Sequence, residues 1–289
     1  MRWKEGRRSD NVEDYRGSPM GGSGVKIGLG TIVVVLLGWA FGIDPRVMLG
    51  LVSTVENAQV QTPPPPEPGV RNTGSPEDEV AEFASVVLAD TEDTWTALFA
   101  EHGAQYIPPK LALFTEVAQT ACGRAGASVG PFYCPLDRKV YIDLSFYQEL
   151  KDKFGAPGDF AQAYVLAHEV GHHVQNLLGT SEKVQAAQQR SSEREANALS
   201  VRLELQADCY SGIWANHADQ SRHILESGDV EEALGAAAAV GDDTIQKHTR
   251  GYVVPDSFTH GSAEQRIRWF RTGLQSGAVE KCDTFGAGS

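Results

Sequence analysis

Two histidines four residues apart, His168 and His172, flank Glu169 in the run Ala167-His168-Glu169-Val170-Gly171-His172-His173. On an α-helix this spacing puts both imidazoles on one face, one turn apart, so both can reach a single metal ion. The intervening carboxylate then lies beside the ion, where a zinc hydrolase places its general base. A metal at such a site acidifies its bound water towards about pH 7 and polarises a carbonyl, and the base takes the water proton. Two histidines alone are incomplete, because catalytic zinc normally has three protein ligands and one open position.

The run Glu204-Leu205-Gln206-Ala207-Asp208 supplies the missing group. Glu204 and Asp208 are again four apart on one helix face, and their apolar neighbours turn that face inward. Inward carboxylates are costly unless they are paired or bound to metal. Glu204 is therefore the expected third ligand. Asp208 is the expected acceptor for the remaining N–H of a ligand histidine, and an exchange of these two roles is the alternative. Imidazoles with one carboxylate suit Zn²⁺ better than Mg²⁺ or Ca²⁺, with one ion per chain. His260 is a candidate donor to the oxyanion of a tetrahedral intermediate. Tyr133, Tyr164 and His173 are further candidates for the site, although His173 projects about 100° away from His172 and is not expected to ligate.

Elements must hold these groups in place. A helix is predicted over 160–178, opened by Asp159 and Gln162 as a capping box and stopped by Gly179. A second, over 192–217, opens on the capping box Ser192–Glu195. Upstream, a helix or two near 78–101 precedes short strands at Leu111–Phe114 and Val140–Leu144, with a turn at 136–139. These read as an antiparallel sheet. Its exposed edge, either 128–133 or 140–143, could hold a peptide extended across the metal. Downstream, Asp229 opens an alanine-rich helix, Gly241-Asp242-Asp243 caps the next, and Ser262 with Gln265 begins the last.

The chain of 289 residues is acidic, with net charge −13, which argues against a nucleic-acid surface. Its first 26 residues instead carry six Lys/Arg against four Asp/Glu, and Ile27–Ile43 is free of charge. Seventeen such residues reach the short end of a spanning helix, and basic residues before a span place the N-terminus in the cytoplasm. The expected layout is a cytoplasmic segment 1–26, an anchor region 27–52, a proline-rich linker 53–79 and a metal-binding domain 80–289. Four cysteines beyond the anchor imply an oxidising, extracytoplasmic compartment. The expected pairs are Cys122–Cys134, which would close a short loop, and Cys209–Cys282, which would tie the tail to the middle of the domain; four reduced, buried thiols are the alternative.

The runs AHEVGHHVQNLLG at 167–179, ELQADC at 204–209, GPFYCP at 130–135, GDD at 241–243 and SFTHG at 257–261, with the opening MRWKEGRRSDNVEDYRG, resemble the neutral zinc metallopeptidase family of bacteria, the YpfJ-like group within the gluzincin class. The resemblance covers nearly the whole chain. It implies a zincin-like α+β fold, mainly helical with a small sheet, and the ligand roles given above. The expectation is a single-pass protein of the bacterial inner membrane that cleaves peptides or proteins outside the cytoplasm. The competing expectation is a non-catalytic, zinc-stabilised module that meets an envelope partner, which would not need Glu169.

Overall fold

The structure, a computed structural model, describes residues 1–16 and 76–286. The anchor expected over 27–52 lies outside the described residues, as does the linker up to residue 75. Among the described residues, no helix is long and apolar enough to cross a membrane. Residues 76–79, expected as linker, instead form the first turn of α1 (Pro76–Glu101). Proline suits that position, where its missing N–H has no helical partner to lose.

The fold is mixed α+β and mostly helical. A four-stranded sheet runs in the order β1 (Val12–Asp14), β2 (Lys110–Phe114), β6 (Lys139–Asp143), β5 (Phe132–Cys134). β3 (Val117–Thr120) and β4 (Gly123–Gly126) form a separate antiparallel hairpin. The sheet is not the antiparallel one expected: β1–β2 and β2–β6 are parallel, and only β5–β6 is antiparallel. Period-two alternation sets which face a side chain takes, but it carries no information on strand direction. Faces follow the alternation closely. Leu111, Leu113, Val140 and Ile142 point into the main core. Ala112, Phe114 and Tyr141 point into a small second cluster with Tyr15 and Cys134.

The helices after the sheet are α2 (Ser145–Asp152), α3 (Asp159–Leu177), α4 (Thr180–Gln188), α5 (Glu193–Arg222), α6 (Asp229–Ala239), α7 (Asp242–Arg250) and α8 (Ala263–Ser276). α3 is buried almost all round, with Phe160, Tyr164, Leu166, Val170 and Val174 in the core. Each large apolar side chain so buried contributes about 1.5–3 kcal/mol. The capping boxes at Ser192 and Ser262 form as predicted. The one expected at Asp159 does not. Gly158 is the N-cap, and the Asp159 carboxylate accepts from the Met1 ammonium at 2.7 Å. The orphan N–H of Phe160 goes to Glu232 instead, at 3.0 Å.

Close helix approach depends on glycine. A Cβ on Gly171 of α3 would stand 3.0 Å from the Ala207 carbonyl oxygen of α5, so the two backbones pack with no side chain between them. α5 and α8 cross more tightly still, at Gly212 and Gly273. A Cβ on Gly273 would fall 1.9 Å from the Cys209 carbonyl oxygen. Both expected disulfides form, Cys122–Cys134 and Cys209–Cys282.

Candidate metal centre

The α3–α5 contact at Gly171 brings Glu204 of α5 against both histidines of α3. Ligand atoms of His168, His172 and Glu204 all lie within 4.8 Å of one another. His168 Nε2 is 3.1 Å from Glu204 Oε2, and His172 Nε2 is 3.4 Å from Oε1. A tetrahedral zinc with bonds of about 2.0–2.1 Å sets its donors roughly 3.3 Å apart. The donor set therefore fits that ion in both chemistry and spacing.

The far nitrogens of both rings are engaged. His168 donates from Nδ1 to Asp208 Oδ1 at 2.9 Å, and His172 donates from Nδ1 to Gln175 Oε1 at 2.8 Å. Each of these acceptors requires the proton on Nδ1, which leaves the Nε2 lone pairs pointing at the common centre. Gln175 is fixed in turn by donating to the Leu203 carbonyl and to Gln206. Gln206 donates to the carbonyl of Cys282, so the disulfide-tied tail braces one ligand ring.

Asp208 is fully buried and accepts four hydrogen bonds. Besides His168, its donors are Tyr164 Oη at 2.5 Å and Arg266 through Nε and Nη2, both at 2.9 Å. Burial alone would raise its carboxyl pKa. Burial is the largest single influence, but the charges and hydrogen bonds of Arg266 and His168 together outweigh it and hold Asp208 below the ordinary carboxylate range. The geometry thus places Glu204 at the centre and Asp208 behind a ligand ring, not the reverse. Arg266 was not anticipated. Its one sequence signal is a charge sharing the face of Trp269, Phe270 and Gly273 on α8. Gln175 was also missed, although it sits three residues beyond His172 on the same face.

Glu169 is 8% exposed, and among the described residues it makes no side-chain hydrogen bond. Burial pushes its carboxyl up from the usual value. His173 points away from the centre, as expected. Its Nε2–H donates to the Ile107 carbonyl at 2.6 Å, and Nδ1 accepts from Tyr133 Oη at 3.0 Å. Tyr133 lies on β5, so this histidine ties the sheet to the metal helix. β5 is an edge strand, whereas 140–143, the other edge expected, lies inside the sheet between β2 and β5.

His260 is half-exposed and senses the Glu204 charge. Asp242 at the start of α7 holds it. Asp242 Oδ2 accepts the backbone N–H groups of Thr259, His260 and Gly261 at 2.8, 2.6 and 3.0 Å. His260 Nδ1 stands 3.3 Å from Oδ1. The hydrogen bond to Asp242 is the main reason the His260 pKa is raised. A second acidic group, Asp159, Asp229 and Glu232, also has ligand-like spacing. Its charge is already met by the Met1 ammonium, at 2.7 Å from Asp159 and 3.3 Å from Asp229, and by the Phe160 N–H on Glu232.

The chain is 50% identical over 295 residues to "Uncharacterized protein YpfJ" of Escherichia coli (strain K12), covering 99% of each chain. It is 46% identical over 192 residues to "Uncharacterized protein Rv2575" of Mycobacterium tuberculosis (strain ATCC 25618 / H37Rv), covering 63% of this chain and 64% of that protein. No solved structure matches. Residues 1–285 match the model of the family described as "Putative neutral zinc metallopeptidase", and the chain belongs to that family.

Proposed function

We propose that the protein is a zinc-dependent endopeptidase with Glu169 as its general base. The observation that carries this reading is the convergence of His168, His172 and Glu204, whose charges Glu169 senses as a buried carboxylate with no side-chain hydrogen bond among the described residues. Bound zinc would supply an acidified water and a polarised scissile carbonyl. Glu169 takes a proton from the attacking water and passes it to the leaving amine. Asp208 and Gln175 keep both ligand rings in the tautomer that presents Nε2. As the imidazolium, which Asp242 favours, His260 keeps an Nε2–H to donate to the oxyanion while Nδ1–H is turned to Asp242. The free edge of β5 accepts the substrate as an added strand through main-chain hydrogen bonds. The two disulfides support an oxidising, extracytoplasmic compartment, and the uncharged run Ile27–Ile43 supports contact with a membrane.

The test compares zinc-loaded wild type with Glu169→Gln and His172→Ala on an unstructured protein substrate. Glu169→Gln is expected to keep one zinc per chain and lose about 10²–10⁴-fold in cleavage rate. His172→Ala is expected to lose the metal. Undiminished cleavage by zinc-loaded Glu169→Gln would remove Glu169 as the base. Absence of cleavage by zinc-loaded wild type across a peptide library would favour the non-catalytic module.

A further inference from the structure

The amino-terminal segment belongs to the same folded body as the metal centre. β1 pairs in parallel with β2 over Val12–Asp14, with Leu111 N–H donating to the Asn11 carbonyl and Tyr15 N–H to the Leu113 carbonyl, each at 2.8 Å. Glu13 of β1 accepts from Lys110 of β2 and Lys139 of β6. Before the strand, Ser9 and Asn11 both donate to the buried Glu92 of α1, at 2.6 and 2.8 Å. Trp3 packs edge-on against Phe83, and Arg2 N–H reaches the Ile224 carbonyl beyond the end of α5.

Strand pairing of this kind cannot reach through a bilayer. The hydrocarbon core is about 30 Å thick, and a sheet hydrogen bond spans about 3 Å. Where the chain leaves the described body and where it returns are also adjacent. Arg16 Nη2 is 3.6 Å from Asp78 Oδ1 in the first turns of α1. We infer that Met1–Arg16 and the metal-bearing domain share one side of any membrane the chain meets, so that residues 17–75 cross it an even number of times or not at all.

This accounts for the basic residues that, read by sequence alone, place the N-terminus in the cytoplasm. In the fold the five that lie among the described residues serve as partners for the domain's own carboxylates; Lys26 lies outside the described residues. Arg7 pairs with Glu92 and Asp93, Arg8 with Glu82, Lys4 with Glu79, Arg2 with Glu226 and Arg16 with Asp78. The positive-inside rule weighs charges beside a span as free cations facing the lipid. Cations neutralised in a folded domain go where that domain goes. A single crossing at Ile27–Ile43 would separate β1 from β2, leaving the Leu111 N–H and the Leu113 carbonyl without their β1 partners. The run can meet the bilayer only without changing the side on which the chain emerges. The inference is independent of whether the centre turns over peptide.

Single cysteines in the full-length protein test it, since the native cysteines are bonded in disulfides. Lys4→Cys reports the exposed amino-terminal segment and Arg190→Cys an exposed turn of the domain. Each is treated with a membrane-impermeant maleimide in intact spheroplasts and again after lysis. The two positions are expected to behave alike, both labelled before lysis or both only after it. Labelling of one with protection of the other in intact spheroplasts overturns the inference. Glu5→Cys, also exposed, replaces Lys4→Cys should that variant fail to accumulate.

Discussion

Arg266 and Asp208 are buried together, at 4% and 0% exposure, so neither charge has water to fall back on. Removing the cation alone leaves an uncompensated carboxylate beneath a metal ligand. Arg266→Met is expected to lower stability by about 3–5 kcal/mol in denaturant unfolding. Arg266→Met with Asp208→Asn is expected to recover part of that loss, because the stranded charge is gone. A double variant as unstable as the sum of the singles would show that the pair is not coupled. Asp242 acts on His260 in a comparable way at lower burial. Its hydrogen bond raises the His260 pKa, so the imidazolium persists to higher pH and is lost as pH rises through that value. Asp242→Asn removes the largest cause, and the alkaline limb of the kcat/KM profile is expected to move to lower pH. An unmoved limb would remove His260 protonation from the rate. The shared faces of His168 with His172 and of Glu204 with Asp208 were legible because a spacing of four along one helix encodes them. Arg266 meets Asp208 across 58 residues of chain, and no local pattern records that meeting.

The ends of the predicted helices were read to within a few residues, because capping boxes at Ser192 and Ser262 and the left-handed Gly179 mark them locally, whereas α2 and α4 were not predicted. How the helices cross was not readable, and glycines decide it. Gly171→Ala places a methyl 3.0 Å from the Ala207 carbonyl oxygen, which a shift of a few tenths of an ångström relieves. That shift moves Glu204 relative to both histidines. A folded protein with weakened zinc affinity, measured by competition with a chromogenic chelator, is the expected result. Gly273→Ala cannot be relieved so cheaply, since its methyl would fall 1.9 Å from backbone oxygen of Cys209. Forcing α8 off α5 is expected to cost about 3 kcal/mol or more, read as a lowered Tm. Equal Tm values for the two variants would mean that the tighter crossing does not limit stability. Strand direction was misjudged because parallel pairing joins segments far apart in sequence. β1 was missed because three residues in a charged segment show no usable alternation.

At the scale of the whole molecule, His173 joins three parts that the sequence lists separately: the metal helix, β5 through Tyr133, and the segment before β2 through Ile107. Its ring is fully buried and neutral, and burial lowers its pKa to about 4. In the unfolded chain a histidine titrates near 6.5. Between those values the unfolded chain binds a proton that the folded one refuses, so stability rises with pH across that window. The contribution is complete above about pH 6.5 and is lost as pH falls towards 4, amounting to roughly 3 kcal/mol. Protonation of His168 and His172 would release a metal held by them, so unfolding should be followed in both zinc-saturated and chelated protein. His173→Gln is expected to be less stable at pH 8 and to lose stability less steeply on acidification in both conditions. Parallel pH profiles for wild type and variant would mean that another group makes the fold acid-sensitive, and His173 would be left as a brace between sheet and metal helix with no part in that dependence.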